Sequence, residues 1–87
     1  MTLEYLHYKE LDDWDADDVV VVHLLDTETA RVRTHYPNRQ SERQPIEEAF
    51  DEAHRIVVQD PHIRSVGVFL DEGASWNYSW GDLKPFQ

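Results

Sequence analysis

Cysteine is absent from this 87-residue sequence, which excludes disulfides, thiolate metal sites and thiol chemistry. The absence suits a reducing compartment. Glycine occurs three times, as the isolated Gly67, Gly73 and Gly81, so no G-x-G pair exists to cradle a phosphate. Basic residues are scarce: two lysines and six arginines face 18 acids, for a formal net charge of −10. That surplus opposes direct contact with DNA, RNA or an anionic membrane, whose phosphates it would repel. Long hydrophobic runs are also lacking. The longest, Val19–Val22 with Leu24 and Leu25 after His23, falls far short of the roughly 20 residues of a membrane helix. Residues 1–8 carry no basic stretch ahead of an apolar one, so a secretory signal is not expected and a cytoplasmic protein is.

What is present is enough for a folded core. The length fits a single domain over residues 1–87, which would bury roughly 60–65% of its unfolded surface. Ten aromatic residues and several Val/Ile runs argue against disorder despite the charge.

Residues 2–8 read as a short strand. Residues 9–18, rich in Asp, read as an acidic loop pinned by Leu11 and Trp14, because Asp favours turns over helix or strand interiors. Val19–Leu25 is a β-branched, continuously apolar run, the pattern of a central strand. After Asp26–Thr29, residues 30–36 alternate: Ala30, Val32, Thr34 and Tyr36 on one face, Arg31, Arg33 and His35 on the other. Pro45 suits a helix start, and Glu47 and Glu48 suit its positive end. Ile46, Ala49, Phe50, Ala53, Ile56 and Val57 recur at i, i+3, i+4 spacing, so an amphipathic helix is expected over residues 45–58, ending before Asp60-Pro61. Residues 63–70 and 75–80 read as two more strands joined by the turn signal Asp71–Ala74. The expected fold is α+β: an antiparallel sheet of four to five strands, order (β)ββαββ, with one helix shielding a face that holds Val32, Val66 and Val68.

Chemical motifs are weak. No serine sits in a G-x-S-x-G context. Asp51 and His54 share a helix face, but Asp-x-x-His alone is a poor metal signal without matching helices. His23 in the valine run reads as a half-buried histidine bonded to the backbone. No catalytic residue, metal or cofactor is expected. Arg31, Arg33, His35, Arg39 and Arg43 form a basic stretch, read as pairing with the protein's own acids. Trp76, Tyr78 and Trp80 read as core under the helix, with a partner anchor as the competing reading.

The acids are the strongest signal. Asp12, Asp13, Asp15, Asp17 and Asp18 place five carboxylates in seven residues. Extended, that segment spans roughly 20 Å, with charges about 4–5 Å apart, near the 3.4 Å spacing of phosphates along a DNA strand. The expected helix adds Glu47, Glu48, Asp51 and Glu52, including the like-charge i, i+4 pairs Glu47–Asp51 and Glu48–Glu52. Such a surface suits the basic groove of a nucleic-acid-binding protein. In size, charge and lack of a catalytic signature, the chain resembles small inhibitor proteins of phages and mobile elements, the anti-CRISPR proteins and other DNA mimics. This resemblance is one of class and rests on no shared motif. It implies a non-enzymatic, stoichiometric inhibitor of a CRISPR effector or similar nuclease. The expected contact residues are Asp12, Asp13, Trp14, Asp15, Asp17, Asp18, Glu47, Glu48, Asp51 and Glu52, with Trp14, joined by Trp76 or Trp80, as apolar anchor. The alternative is a small structural or interaction domain of a salt-adapted organism, its acids serving solubility.

Overall fold

The valine run dictates the centre of the molecule. The computed structural model describes residues 4–10, 14, 18–34 and 39–85. Its elements are β1 (Glu4–Tyr8), β2 (Val19–Leu24), β3 (Thr29–Thr34), β4 (Arg39–Gln40), β5 (Gln44–Pro45), α1 (Ile46–Gln59), β6 (Ser65–Leu70) and β7 (Asp82–Pro85). All six residues of β2 are buried. β2 is covered on both faces of the sheet, Val20, Val22 and Leu24 packing in one cluster and Val19 and Val21 in the other, which is why its apolar character is continuous rather than alternating.

The strand order is β4-β3-β2-β6-β1-β7, with β5 also paired to β3. The sheet is mixed. β2 and β3 form an antiparallel hairpin, in register at Val22↔Val32. β6 lies parallel to β2 and to β1, and β7 lies parallel to β1. The hairpin turn is closed by Asp26, whose Oδ1 accepts from the backbone N–H of Glu28 and Thr29 and from the Thr29 hydroxyl, at 2.7–2.9 Å. These bonds to the ionised form, the backbone ones first, hold the Asp26 carboxyl below its ordinary range.

Several expectations need correction. The sheet has seven strands and mixed pairing, not four to five antiparallel ones. Residues 75–80 are not a strand. They form an irregular segment ending in a 3-10 turn, Tyr78–Trp80, in which Asn77 Oδ1 accepts from Ser79 N–H at 2.9 Å. The last strand comes later, at β7, and pairs parallel with β1 instead of forming the expected hairpin with β6. The helix runs from Ile46 to Gln59, with Pro45 as its N-cap. Leu11, Tyr36 and His35 lie outside the described residues.

Pleating sorts the side chains onto two faces. The face under α1 holds Tyr5, Val20, Val22, Leu24, Ala30, Val32, Val66 and Val68, packed against Ile46, Ala49, Phe50 and Ala53 of the helix. The opposite face carries a smaller cluster of Tyr8, Trp14, Val19 and Val21, flanked by Leu6 and Phe69. Gly67 lies on this face, where a Cβ would come 2.6 Å from Tyr8 Cε2. A side chain there would collide with a fully buried ring, which is the reason for the lone glycine in β6.

Candidate interaction surface

Helix α1 positions the acids by its own amphipathicity. Ile46, Ala49, Phe50 and Ala53 are buried, so 3.6-residue periodicity turns Glu47, Glu48 and Asp51 outward and leaves Glu52 at the margin. Pro45 gives no side-chain cap, and the Ile46 N–H instead donates to Glu28 O at 3.1 Å. The first-turn acids Glu47 and Glu48 therefore face the positive end of the helix dipole. Among the described residues the ion pairs are His23–Asp71 and Lys84–Glu4. Among the described residues the helix acids pair with no cation, and Asp51 and Arg55 do not close the bridge their spacing allows.

The helix is bordered by concave surface. A cavity of about 310 Å³ lies between Tyr5, Phe50, His54 and Trp80, with Glu47 and Asp51 also lining it. A second, of about 350 Å³, is lined by Gln44, Glu48, Asp51, Glu52 and Arg55. A third, of about 350 Å³, runs along the helix's later turns, where Glu52 and Asp60 face Arg39 above the apolar Val32, Ile56 and Ile63. Every one of these depressions carries carboxylates.

The aromatic residues divide. Trp76 and Trp80 are half-buried and pack against the main core, with ring centroids 5.1 Å apart and edge-on. Phe50 lies 5.9 Å from Trp76 and 5.8 Å from Trp80, and Tyr5 lies 5.2 Å from Phe50. Trp76 Nε1–H donates to Gly81 O at 3.1 Å. Tyr78, between the tryptophans in sequence, is 72% exposed. The core reading thus holds for the tryptophans and not for Tyr78.

The expected acidic loop is only partly visible. Asp12, Asp13, Asp15 and Asp17 lie outside the described residues. Asp18 is half-buried, and its carbonyl accepts from Arg64 N–H at 2.7 Å. Trp14 is 7% exposed, with Nε1–H donating to Val19 O at 3.2 Å. It closes the smaller cluster on the face away from the helix, so it is a core residue and not an exposed anchor. Burial of its ring consumes the apolar area an anchor would offer.

On that face the basic residues are arranged differently from expectation. Arg33 Nε–H donates to His23 Nδ1 at 3.0 Å, so His23 is the tautomer protonated on Nε2, which donates to Asp71 Oδ2 at 3.1 Å. His23 is 6% exposed and packs in a tilted contact against Phe69, ring centroids 4.8 Å apart. It is bonded to side chains, not to the backbone. Burial, aided by the Arg33 charge, pushes its pKa below the ordinary value, against the pull of Asp71. Arg31 and Arg33 form no direct ion pair with an acid among the described residues. The Tyr5 hydroxyl and His54 Nε2 lie 2.9 Å apart, a pairing that sequence could not signal across 49 positions. Among the described residues no three His, Asp or Glu side chains converge as a metal site. No described helix is long and apolar enough to cross a membrane.

Compared with known proteins, the chain matches no family model, no curated protein and no solved structure.

Proposed function

We propose that this chain is a non-enzymatic, cytoplasmic binding protein that docks its acidic helix on the basic nucleic-acid-binding surface of a partner protein. It would act there as a stoichiometric inhibitor of the DNA-mimic or anti-CRISPR type. The observation that supports this reading is the set of Glu47, Glu48, Asp51 and Glu52, clustered on one helix and paired with no cation among the described residues. From Glu47 to Glu52 is about 7.5 Å of helix axis. Four carboxylates over that length give about one charge per 2 Å, close to the ~1.7 Å per charge of duplex DNA. Solubility alone does not require like charges at i, i+4, where they weaken the helix. Asp12, Asp13, Asp15, Asp17 and Asp18 would extend the acidic field, and the apolar contact assigned to Trp14 passes to the depressions beside the helix.

The test is capture from source cells with the wild-type chain and with the neutral variant E47Q/E48Q/D51N/E52Q, after circular dichroism has verified its fold. The expected captive is a nucleic-acid-binding protein, released by competing duplex DNA and by raised salt. Equal capture by the neutral variant, or capture indifferent to DNA, would overturn the reading.

A further inference from the structure

Both ring nitrogens of His23 are committed. A guanidinium only donates, so the 3.0 Å bond from Arg33 Nε–H requires a bare lone pair on Nδ1. The ring's one proton sits on Nε2 and goes to Asp71 Oδ2 at 3.1 Å. The ring is 6% exposed and lies against Phe69 of β6. Turning it to offer another edge to Arg33 would cost the Asp71 bond as well.

The charged groups facing this ring are few. Arg31 and Arg33 come from β3, with Arg31 directly across the strand pair from His23. Asp71 follows β6. No other charge among the described residues shifts the titration of the ring. The neighbours Phe69 of β6 and Gln40 of β4, the latter opposite Arg33, are uncharged. A second proton on His23 has one place to go, Nδ1. There an N–H would meet the Arg33 N–H, and an imidazolium would stand beside two guanidiniums with only Asp71 to offset it. Asp71 keeps its bond, because Nε2–H donates in both forms of the ring. Arg33 loses its acceptor.

We propose that His23 is a proton-operated latch on Arg33: the neutral ring holds the guanidinium on the sheet, and the imidazolium releases it to water while the Asp71 bond and the sheet stay in place. Arg33 is only half-buried, so its head reaches solvent with its methylenes still on the surface. Burial first, then the Arg31 charge, already disfavour its charged form, and release relieves both. Below the switch, the face away from α1 carries one more positive charge and a free guanidinium. The helix acids lie on the other side of the sheet, so the latch is independent of the docking reading.

The experiment follows the full-length, 15N-labelled chain by NMR from about pH 8 to about pH 4, across the ordinary histidine range. At the upper end, His23 should show a proton-free Nδ1 coupled across the hydrogen bond to Arg33 Nε–H. As His23 protonates, that coupling should vanish and the Arg33 Hε signal should move to the position of exposed arginines, with one shared midpoint. The backbone amides of β2, β3 and β6 should stay dispersed throughout. In His23→Gln, which keeps an acceptor but cannot titrate, the Hε signal should not move. In Asp71→Asn, which removes the charge favouring the imidazolium, the wild-type midpoint should fall to lower pH. A bond to Arg33 that survives protonation of His23 would overturn the latch. So would the same Hε movement in His23→Gln, a midpoint that does not fall in Asp71→Asn, or a ring that stays neutral until the amides collapse.

Discussion

The two faces of the sheet solve the same packing problem with different materials. Under the helix, alternating Val, Leu and Ala residues of β2, β3 and β6 meet an apolar helix stripe, and almost nothing polar is enclosed. On the other face no helix is present among the described residues. A small aromatic and valine cluster gives way within one strand to His23, Arg31 and Arg33. The difference teaches that the helix side carries the fold, while the other side encloses a polar chain that depends on its protonation state. It also separates the tasks proposed for the surface, since the acids ride on the helix that the main core holds in place.

The largest effect should come from the helix side. Leu24 is fully buried at the end of β2, in the cluster with Ala30 and Ile46. Leu24→Ala should destabilise the protein by about 2–5 kcal/mol through lost burial and the cavity left behind. Urea denaturation followed by tryptophan fluorescence measures it. A loss below about 1 kcal/mol would mean that the helix side is not the dominant core.

Much of this division was legible in the residues themselves. The period-3.6 stripe from Ile46 to Val57 located the helix to within one residue at each end. The unbroken valines located the central strand, and the alternation of residues 30–34 assigned Arg31 and Arg33 to the face away from Val32. Pairing direction was not legible. An antiparallel partner for β6 seemed natural because Asp71–Ala74 resembles a hairpin turn, yet the chain crosses past β6 and returns as β7 beside β1. The alternation Trp76/Tyr78/Trp80 mimicked a strand. Local bonds from Asn77 Oδ1 and the Trp76 indole fold the segment back on itself instead, an instance of side chains competing with strand pairing. The cluster of Tyr5, Phe50 and Trp80 was illegible for a related reason: the three residues are distant in sequence, and only the fold brings them together.

The polar face offers a sharper contrast through pH. His23 has its pKa lowered by burial, so the folded state prefers the neutral ring more than the unfolded chain does. Its contribution is fully present above the unfolded value of about 6.5 and is lost as pH falls from there through the lower folded value. Melting temperature should therefore drop between about pH 7 and pH 5, a window above the titration of most carboxylates. His23→Gln keeps a donor for Asp71 and an acceptor for Arg33 but cannot titrate, and should flatten this slope. An equally steep slope in the variant would show that the polar chain is not the pH-sensitive part of the fold.

The smallest effect concerns the helix acids, and it separates their two explanations. Glu47 and Glu48 gain from the helix dipole, but Glu48 also opposes Glu52 one turn on. Glu52→Lys leaves the first turn untouched and converts that repulsion into a Glu-to-Lys i, i+4 pair in the favourable orientation. The expected gain is about 0.5 kcal/mol at low salt. It should fade near 1 M salt, where the screening length is about 3 Å. Thermal melts of both proteins at low and high salt measure it. If the acids exist for salt adaptation, wild-type stability should instead climb steeply with salt, far beyond what one relieved pair explains. If they exist to meet a basic surface, wild type should gain only modestly from salt, and the more stable Glu52→Lys protein should bind its partner less well. The same substitution then moves stability and binding in opposite directions, which a purely structural role for the acids does not produce.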